Sequence, residues 1–228
     1  VIPRSANCIR TFIAIIITAL SSIWTFEGPY YQRKFHFNKE VDVLGITLFI
    51  FGLGLALFMS SISEYAGRKV TFIFSLSGVF IFTIVTVWSP SLAGVFIARF
   101  LCGVFGSAFL SVANSVVSDI FVNTAVGIPS IFVSCSPFLG PALGPLLSAV
   151  FEHESRGGFF TLMIATFVCL VLIIFTYPET YKPVLLVKKA KRVRKETGDS
   201  GYYAPLEKQT KEVNFLSATL MNCKRPIG

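Results

Sequence analysis

Charge is scarce in this chain. Only 14% of its 228 residues are Asp, Glu, Lys or Arg, against about 25% in an ordinary water-soluble domain. A water-soluble globule of this size would need more charge than that. The cysteines at 8, 102, 135, 169 and 223 form no CxxC pair, and His36 and His153 lie far apart. Structural zinc and dithiol redox sites need such pairs at short spacing, so the cysteines read as small apolar packing residues. No Asn-x-Ser/Thr glycosylation site occurs. The "GLG" at 52–54 is no dinucleotide fingerprint, because Leu57 stands where its third glycine belongs. No catalytic or metal-ligating set emerges, and an enzyme is not expected.

Apolar residues are abundant instead. They make up 54% of the chain, and the mean hydropathy is +0.71. Uncharged runs cover 11–26, 43–63, 70–98, 100–118, 120–151 and 157–178. Crossing the hydrocarbon layer takes about 20 mainly apolar residues, and the first run gains length if Arg10 snorkels to the interface. A secretory signal would leave one such segment, not six. The expected fold class is therefore an all-α polytopic membrane protein with six transmembrane helices. They are expected near 9–26, 43–63, 70–89, 92–115, 127–150 and 158–177. Residues 27–42 and 152–156 are expected as loops on one side, with Ser89–Pro90 a tight turn.

The net charge of +8 does not point to nucleic acid, because the cations follow the topology. Six spans put both termini on one side, and fifteen Lys and Arg residues fall there. Arg33, Lys34, Lys39 and Arg156 fall on the other side, while Arg99 alone sits within a span. The positive-inside rule places both termini in the cytoplasm. The composition changes at Pro178, which divides the chain into a bundle over 1–177 and a basic cytoplasmic segment over 178–228. Within the latter, "KPVLLVKKAKRVRKETGD" sets Leu186, Ala190 and Val193 on one helical face. Lys188, Lys189, Lys191 and Arg192 would meet anionic headgroups at about 1 kcal/mol each. A solvated cytoplasmic helix is the alternative, and 199–228 reads as a polar linker.

Two features inside the spans carry conformational meaning. In "SPFLGPALGPLLSAV", Gly140 and Gly144 lie one turn apart and make a groove for a neighbouring backbone. Pro141 and Pro145 each remove a backbone hydrogen bond, so this span must bend or borrow partners. An ordinary small-residue packing face is the alternative. Arg99 lies about 12 Å into its span at 1.5 Å per residue, where an unpaired charge costs about 2.5–3.5 kcal/mol. It is expected to face the interior near Ser111 and Asn114 or a partner acid, with snorkelling towards Ser89–Pro90 as the alternative. Its guanidinium keeps its proton, so it would tune a neighbouring acid or hold an anion rather than carry protons.

Several motifs resemble those of the major facilitator superfamily. "SPFLGPALGP" resembles its antiporter signature, with Ser136 in the first glycine position. "SSISEYAGRKV" resembles the loop signature between spans two and three, through Glu64, Gly67, Arg68 and Lys69. "VFIARFLCGVFGS" is similar to the fourth-span signature, with Arg99 and Gly103 in register. "FHFNKEVDVLGITLFIFGLGLAL" and "PETYKPVLLVKKAKRVRKETG" resemble fungal drug:proton antiporters of the twelve-span group. The resemblance covers about 8–228 and corresponds to the amino-terminal half, with "CKRPIG" like the approach to a seventh span. It implies a latch in which Glu64, Arg68 and Lys69, joined by Asp119, pair in one conformer and part in another. It also implies export of drugs or other amphipathic and cationic compounds, driven by a proton gradient with no cofactor, at the plasma membrane. The partners implied are the lipid bilayer, a small-molecule substrate, and a second six-span half or another copy. The chain departs from the pattern at Val126, where relatives carry arginine, and at Ser155–Arg156–Gly157, where they carry a Trp-Arg-Trp element.

Proton coupling asks for a carboxyl whose affinity burial can tune. Glu27, Glu64, Asp119 and Glu179 all sit at span edges. Glu27, at the outer end of span one, is a candidate carrier that otherwise reads as a loop acid, and a carrier in the second half is the alternative. Thr18, Ser21, Ser22, Ser111 and Asn114 are expected to line a solute cavity. Two other function classes stand beside the exporter: a non-transporting, truncated membrane remnant or interaction protein, and a six-span channel. No ring-forming filter or acidic constriction supports the channel.

Overall fold

The computed structural model describes residues 4–36, 39–55, 63, 67–120, 127–149, 157–176 and 182–197. Helices dominate these residues, and no strand occurs among them. Their order is α1 (Arg4–Ser22), α2 (Trp24–Phe35), α3 (Lys39–Gly54), α4 (Arg68–Trp88), α5 (Leu92–Ile120), α6 (Gly127–Ala149), α7 (Gly157–Thr176) and α8 (Lys182–Thr197). Lipid offers no hydrogen bonds to a backbone, so long uncharged runs must pair their own amides, and the helix does so locally. The hydroxyls in these runs are handled the same way. Thr71, Thr83, Thr86, Thr161 and Thr166 each donate to the carbonyl four residues back.

Four stretches are long and apolar enough to cross a bilayer: Thr11–Phe35, Arg68–Trp88, Leu92–Val112 and Gly157–Phe175. The apolar part of α3, Val41–Gly54, is shorter, and α6 carries Pro137, Pro141 and Pro145 within its length. α3 and α6 pack among these spans, and α1 and α2 run end to end in the first of them. The broadest contacts join α1 to α6, α4 to α5 and α3 to α5, with α7 laid against α4 and α1. Ile13, Ile17, Leu20, Phe49, Phe72, Leu76, Phe109 and Phe159 fill the centre.

The expected loop at 27–42 is corrected by the structure. The first crossing continues as α2 to Phe35, and α3 begins at Lys39. Trp24, Glu27, Gly28 and Tyr31 are buried along one side of α2, so the helical stripe outlasts the uncharged run.

Two kinds of glycine contact bring helices close. Gly140 and Gly144 of α6 lie against the backbone of α1 at Ile15 and Ala19, with Thr18 and Ser22 directly over them. Gly52 of α3 and Gly103 of α5 face each other across the Phe49 and Phe100 carbonyls. At neither contact is there room for a Cβ. Gly67, ahead of α4, has φ 95° and ψ 157°, a conformation open essentially to glycine alone.

Candidate functional site

Arg99 organises the interior. It projects from α5, is 1% exposed, and donates from Nη1 to the Leu20 carbonyl at 2.7 Å and from Nη2 to the Ser21 carbonyl at 3.3 Å. Those carbonyls belong to the last turn of α1, beside Ile23, where α1 gives way to α2. Carbonyls in the last turn of a helix carry partial negative charge, and the guanidinium binds two of them at this joint in the first crossing. Ile23 itself keeps right-handed angles, φ −59° and ψ −29°, so the chain runs on in nearly the same direction.

Three aromatic faces enclose the same cation. Its Cζ lies 5.2 Å from the Trp24 ring centroid, 4.9 Å from that of Phe49 and 5.4 Å from that of Phe159. Each such contact is worth about 2 kcal/mol when desolvated, and a hydrogen bond to a charged group about 1.5–3 kcal/mol. These contacts offset a penalty of about 2.5–3.5 kcal/mol for a cation at that depth, while Nε is buried without a hydrogen-bond partner among the described residues. Arg99 is buried rather than snorkelled, and among the described residues it meets no carboxylate. The expected neighbours Ser111 and Asn114 are not beside it. They lie further along α5, Ser111 being about 18 Å away at 1.5 Å per residue.

The rings are themselves fixed. Trp24 Nε1 donates to Asp42 Oδ1 at 2.8 Å and to the Asp42 carbonyl at 3.0 Å. Its indole stacks on Tyr31 with centroids 5.0 Å apart. Tyr31 Oη donates to the Thr86 carbonyl at 2.9 Å, and Lys34 Nζ to the Ser89 carbonyl at 3.4 Å. Both acceptors close the C-terminal end of α4.

Glu27, expected as a loop acid, is 3% exposed. Its Oε1 accepts the Gly158 amide at 2.9 Å, in the first turn of α7, where the helix dipole favours an anion. Gly158 packs directly against this carboxylate, Ser148 and Ile23. The short helix α2 thus sets an acid at the start of α7 and a cation at the end of α4. This arrangement went unread in the sequence, although Trp24, Tyr31 and Phe35 continue the apolar stripe at helical spacing.

At the opposite end of the bundle, Arg68 is buried and its Nη1 donates to Ser63 Oγ at 2.9 Å. Lys69 Nζ donates to the Ile174 carbonyl in the last turn of α7 at 3.2 Å. Glu64 lies outside the described residues, as do the side chains of Asp119 and Asn114. Thr18 is buried at the α1–α6 contact and donates to the Ala14 carbonyl at 2.8 Å. Ser21, Ser22 and Ser111 are half-buried and donate back along their own helices. In this structure Thr18 and Ser22 serve helix packing against Gly140 and Gly144. On α6, Pro141 is exposed and Pro145 half-buried. Ser136 Oγ donates at 2.7 Å to the Val133 carbonyl, the acceptor that Pro137 leaves without an amide.

Apolar helices long enough to cross a bilayer, a caged interior arginine and a proline-bearing helix on a glycine groove define a transporter-type helical membrane bundle. The chain belongs to the Major Facilitator Superfamily, whose family model matches residues 11–223. It is 48% identical over 220 residues to the "Probable drug/proton antiporter YHK8" of Saccharomyces cerevisiae, covering 96% of this chain and 43% of that protein. It is 37% identical over 178 residues to the "Efflux pump atB" of Aspergillus terreus, covering 77% of this chain and 37% of that one. The chain thus spans less than half the length of these relatives. Among solved structures, a D-xylose-proton symporter aligns with TM-score 0.62 at 13% identity, over 96% of this chain and 64% of that one. The human organic anion transporter MFSD10 aligns with TM-score 0.59 at 17% identity, over 78% and 49%. At these identities the structural likeness concerns the fold.

Proposed function

We propose that this chain acts as the amino-terminal bundle of a proton-coupled exporter of drugs or other amphipathic and cationic small molecules. The observation that carries the proposal is the identity of 48% along 96% of the chain to a drug/proton antiporter. Its setting is the plasma membrane, with both termini cytoplasmic. Solute sites in this fold lie between two bundles, so a second six-span half, or another copy, supplies the facing wall.

The parts take the following roles. Arg99 holds the joint between α1 and α2 and thereby fixes the angle of the first crossing. The proline-bearing α6 flexes against α1 over Gly140 and Gly144. Arg68, Lys69, Glu64 and Asp119 form the cytoplasmic latch, and Gly103 lets α3 and α5 close on each other. Glu27 exchanges the coupling proton. It is the one carboxylate buried among the described side chains, and its contact with Gly158 links proton occupancy to the seating of α7. The proton gradient supplies the driving force, and no side chain takes a covalent role.

The test is expression in a yeast strain lacking its own drug pumps, with the chain alone and with it fused to the remainder of the S. cerevisiae relative. Restored resistance and efflux in the fusion support the proposal. A fusion that reaches the membrane yet moves no drug favours the non-transporting remnant.

A further inference from the structure

Helix α8 makes no extensive contact with another described helix, yet it is neither uniformly polar nor uniformly apolar. Lys189, Lys191, Arg192 and Lys195 are exposed on one broad arc. At 100° per residue the opposite arc holds Leu186, Val187, Ala190 and Val193 with Arg194 beside Val187, while Leu185 lies toward the edge of the basic arc. Of these, Leu186 is 50% exposed, an apolar side chain in reach of a nonaqueous phase. Glu196 is the only acid in the helix, and it lies 3.9 Å from Arg192 in an exposed pair.

The tether restricts where this helix goes. α7 ends at Thr176 and α8 begins at Lys182, and the five intervening residues reach at most about 20 Å when extended. A basic amphipathic helix is thus held within a short distance of the bilayer face at which α7 ends. That face is the one with most of the chain's cations, where the positive-inside bias sets the cytoplasmic leaflet and its anionic lipids.

We propose that α8 lies along the bilayer surface and binds anionic phospholipid headgroups, its basic arc on the phosphates and Leu186 among the upper acyl chains. Charge complementarity selects this occupant: seven basic residues against one acid fit an anionic lipid surface, and the apolar arc fits its hydrocarbon edge. Such docking fixes the carboxyl end of α7 against the membrane. It does not depend on the transport proposal, since it needs only that α7 spans the bilayer.

The test uses the full chain in lipid nanodiscs, reading hydrogen–deuterium exchange over 182–197. Exchange is expected to slow about tenfold in discs with about 30% phosphatidylserine relative to phosphatidylcholine alone. Salt at about 0.5 M should erase the difference, since it shortens the screening length to a few ångströms. The variant Lys189→Gln/Lys191→Gln/Arg192→Gln/Lys195→Gln should lose the lipid dependence while α4 and α7 exchange as before. Leu186→Ser should weaken it with every cation in place. Equal exchange in the two lipids overturns the proposal, as does protection that appears only on adding an acidic polypeptide.

Discussion

Arg99 and Leu20, 79 positions apart in sequence, meet at 2.7 Å through a guanidinium N–H and a backbone carbonyl. The acceptor lies at the end of α1, so the cation restrains the joint of the first crossing rather than a single side chain. Arg99→Lys keeps the charge but loses the planar fork that reaches both carbonyls. Drug resistance of the fused, full-length protein is expected to fall sharply, with membrane abundance near normal. Unchanged resistance would remove the joint from the mechanism. Arg99→Ala also leaves a void among Trp24, Phe49 and Phe159, and should cost about 2–4 kcal/mol in detergent thermal unfolding.

Gly140→Ala and Pro141→Ala are neighbouring changes with opposite expectations. A methyl at Gly140 collides with Thr18 and the Ile15 carbonyl, and overpacking of this kind costs about 1–3 kcal/mol. Pro141 is exposed, and alanine there restores a backbone amide to the helix. The first variant should melt lower in detergent and the second equal to or above the parent, with transport by the second reduced if α6 must flex.

Glu27→Gln separates contact from proton exchange. The amide oxygen still accepts from Gly158, so fold and abundance should hold while proton-driven efflux by the fused protein is lost. Glu27→Ala removes the acceptor as well, leaving a buried amide unpaired at about 1–3 kcal/mol, and should destabilise the start of α7. Wild-type efflux in the glutamine variant, measured with an imposed proton gradient, would assign coupling elsewhere.

A reporter fused after Lys195 should read cytoplasmic, and one placed in the Ser89–Pro90 turn should read external. The reverse result would invert every assignment of sides.

How far the sequence disclosed this structure differs from element to element. The crossings at Arg68–Trp88 and Gly157–Thr176 follow from uncharged length alone, because lipid compels helix wherever a run is long enough. The glycine groove of α6 was visible as a motif, but its occupant α1 was not, since any backbone fits a groove. The loop expected at Glu27 follows from treating a charge as the end of a span, whereas the helix carries this acid on to the start of α7. The partners of Arg99 had no sequence signal of their own. Leu20 and Ser21 offer main-chain oxygens, which every residue possesses, and only the fold decides which of them a guanidinium reaches.

Ser136 departs from the glycine that the antiporter signature places there, and its hydroxyl ties down the oxygen that Pro137 sets loose. No such hydroxyl precedes Pro141 or Pro145, where glycines stand instead, so the carbonyls freed there are the ones left to reorganise if α6 bends, alongside the end of α1 that Arg99 braces.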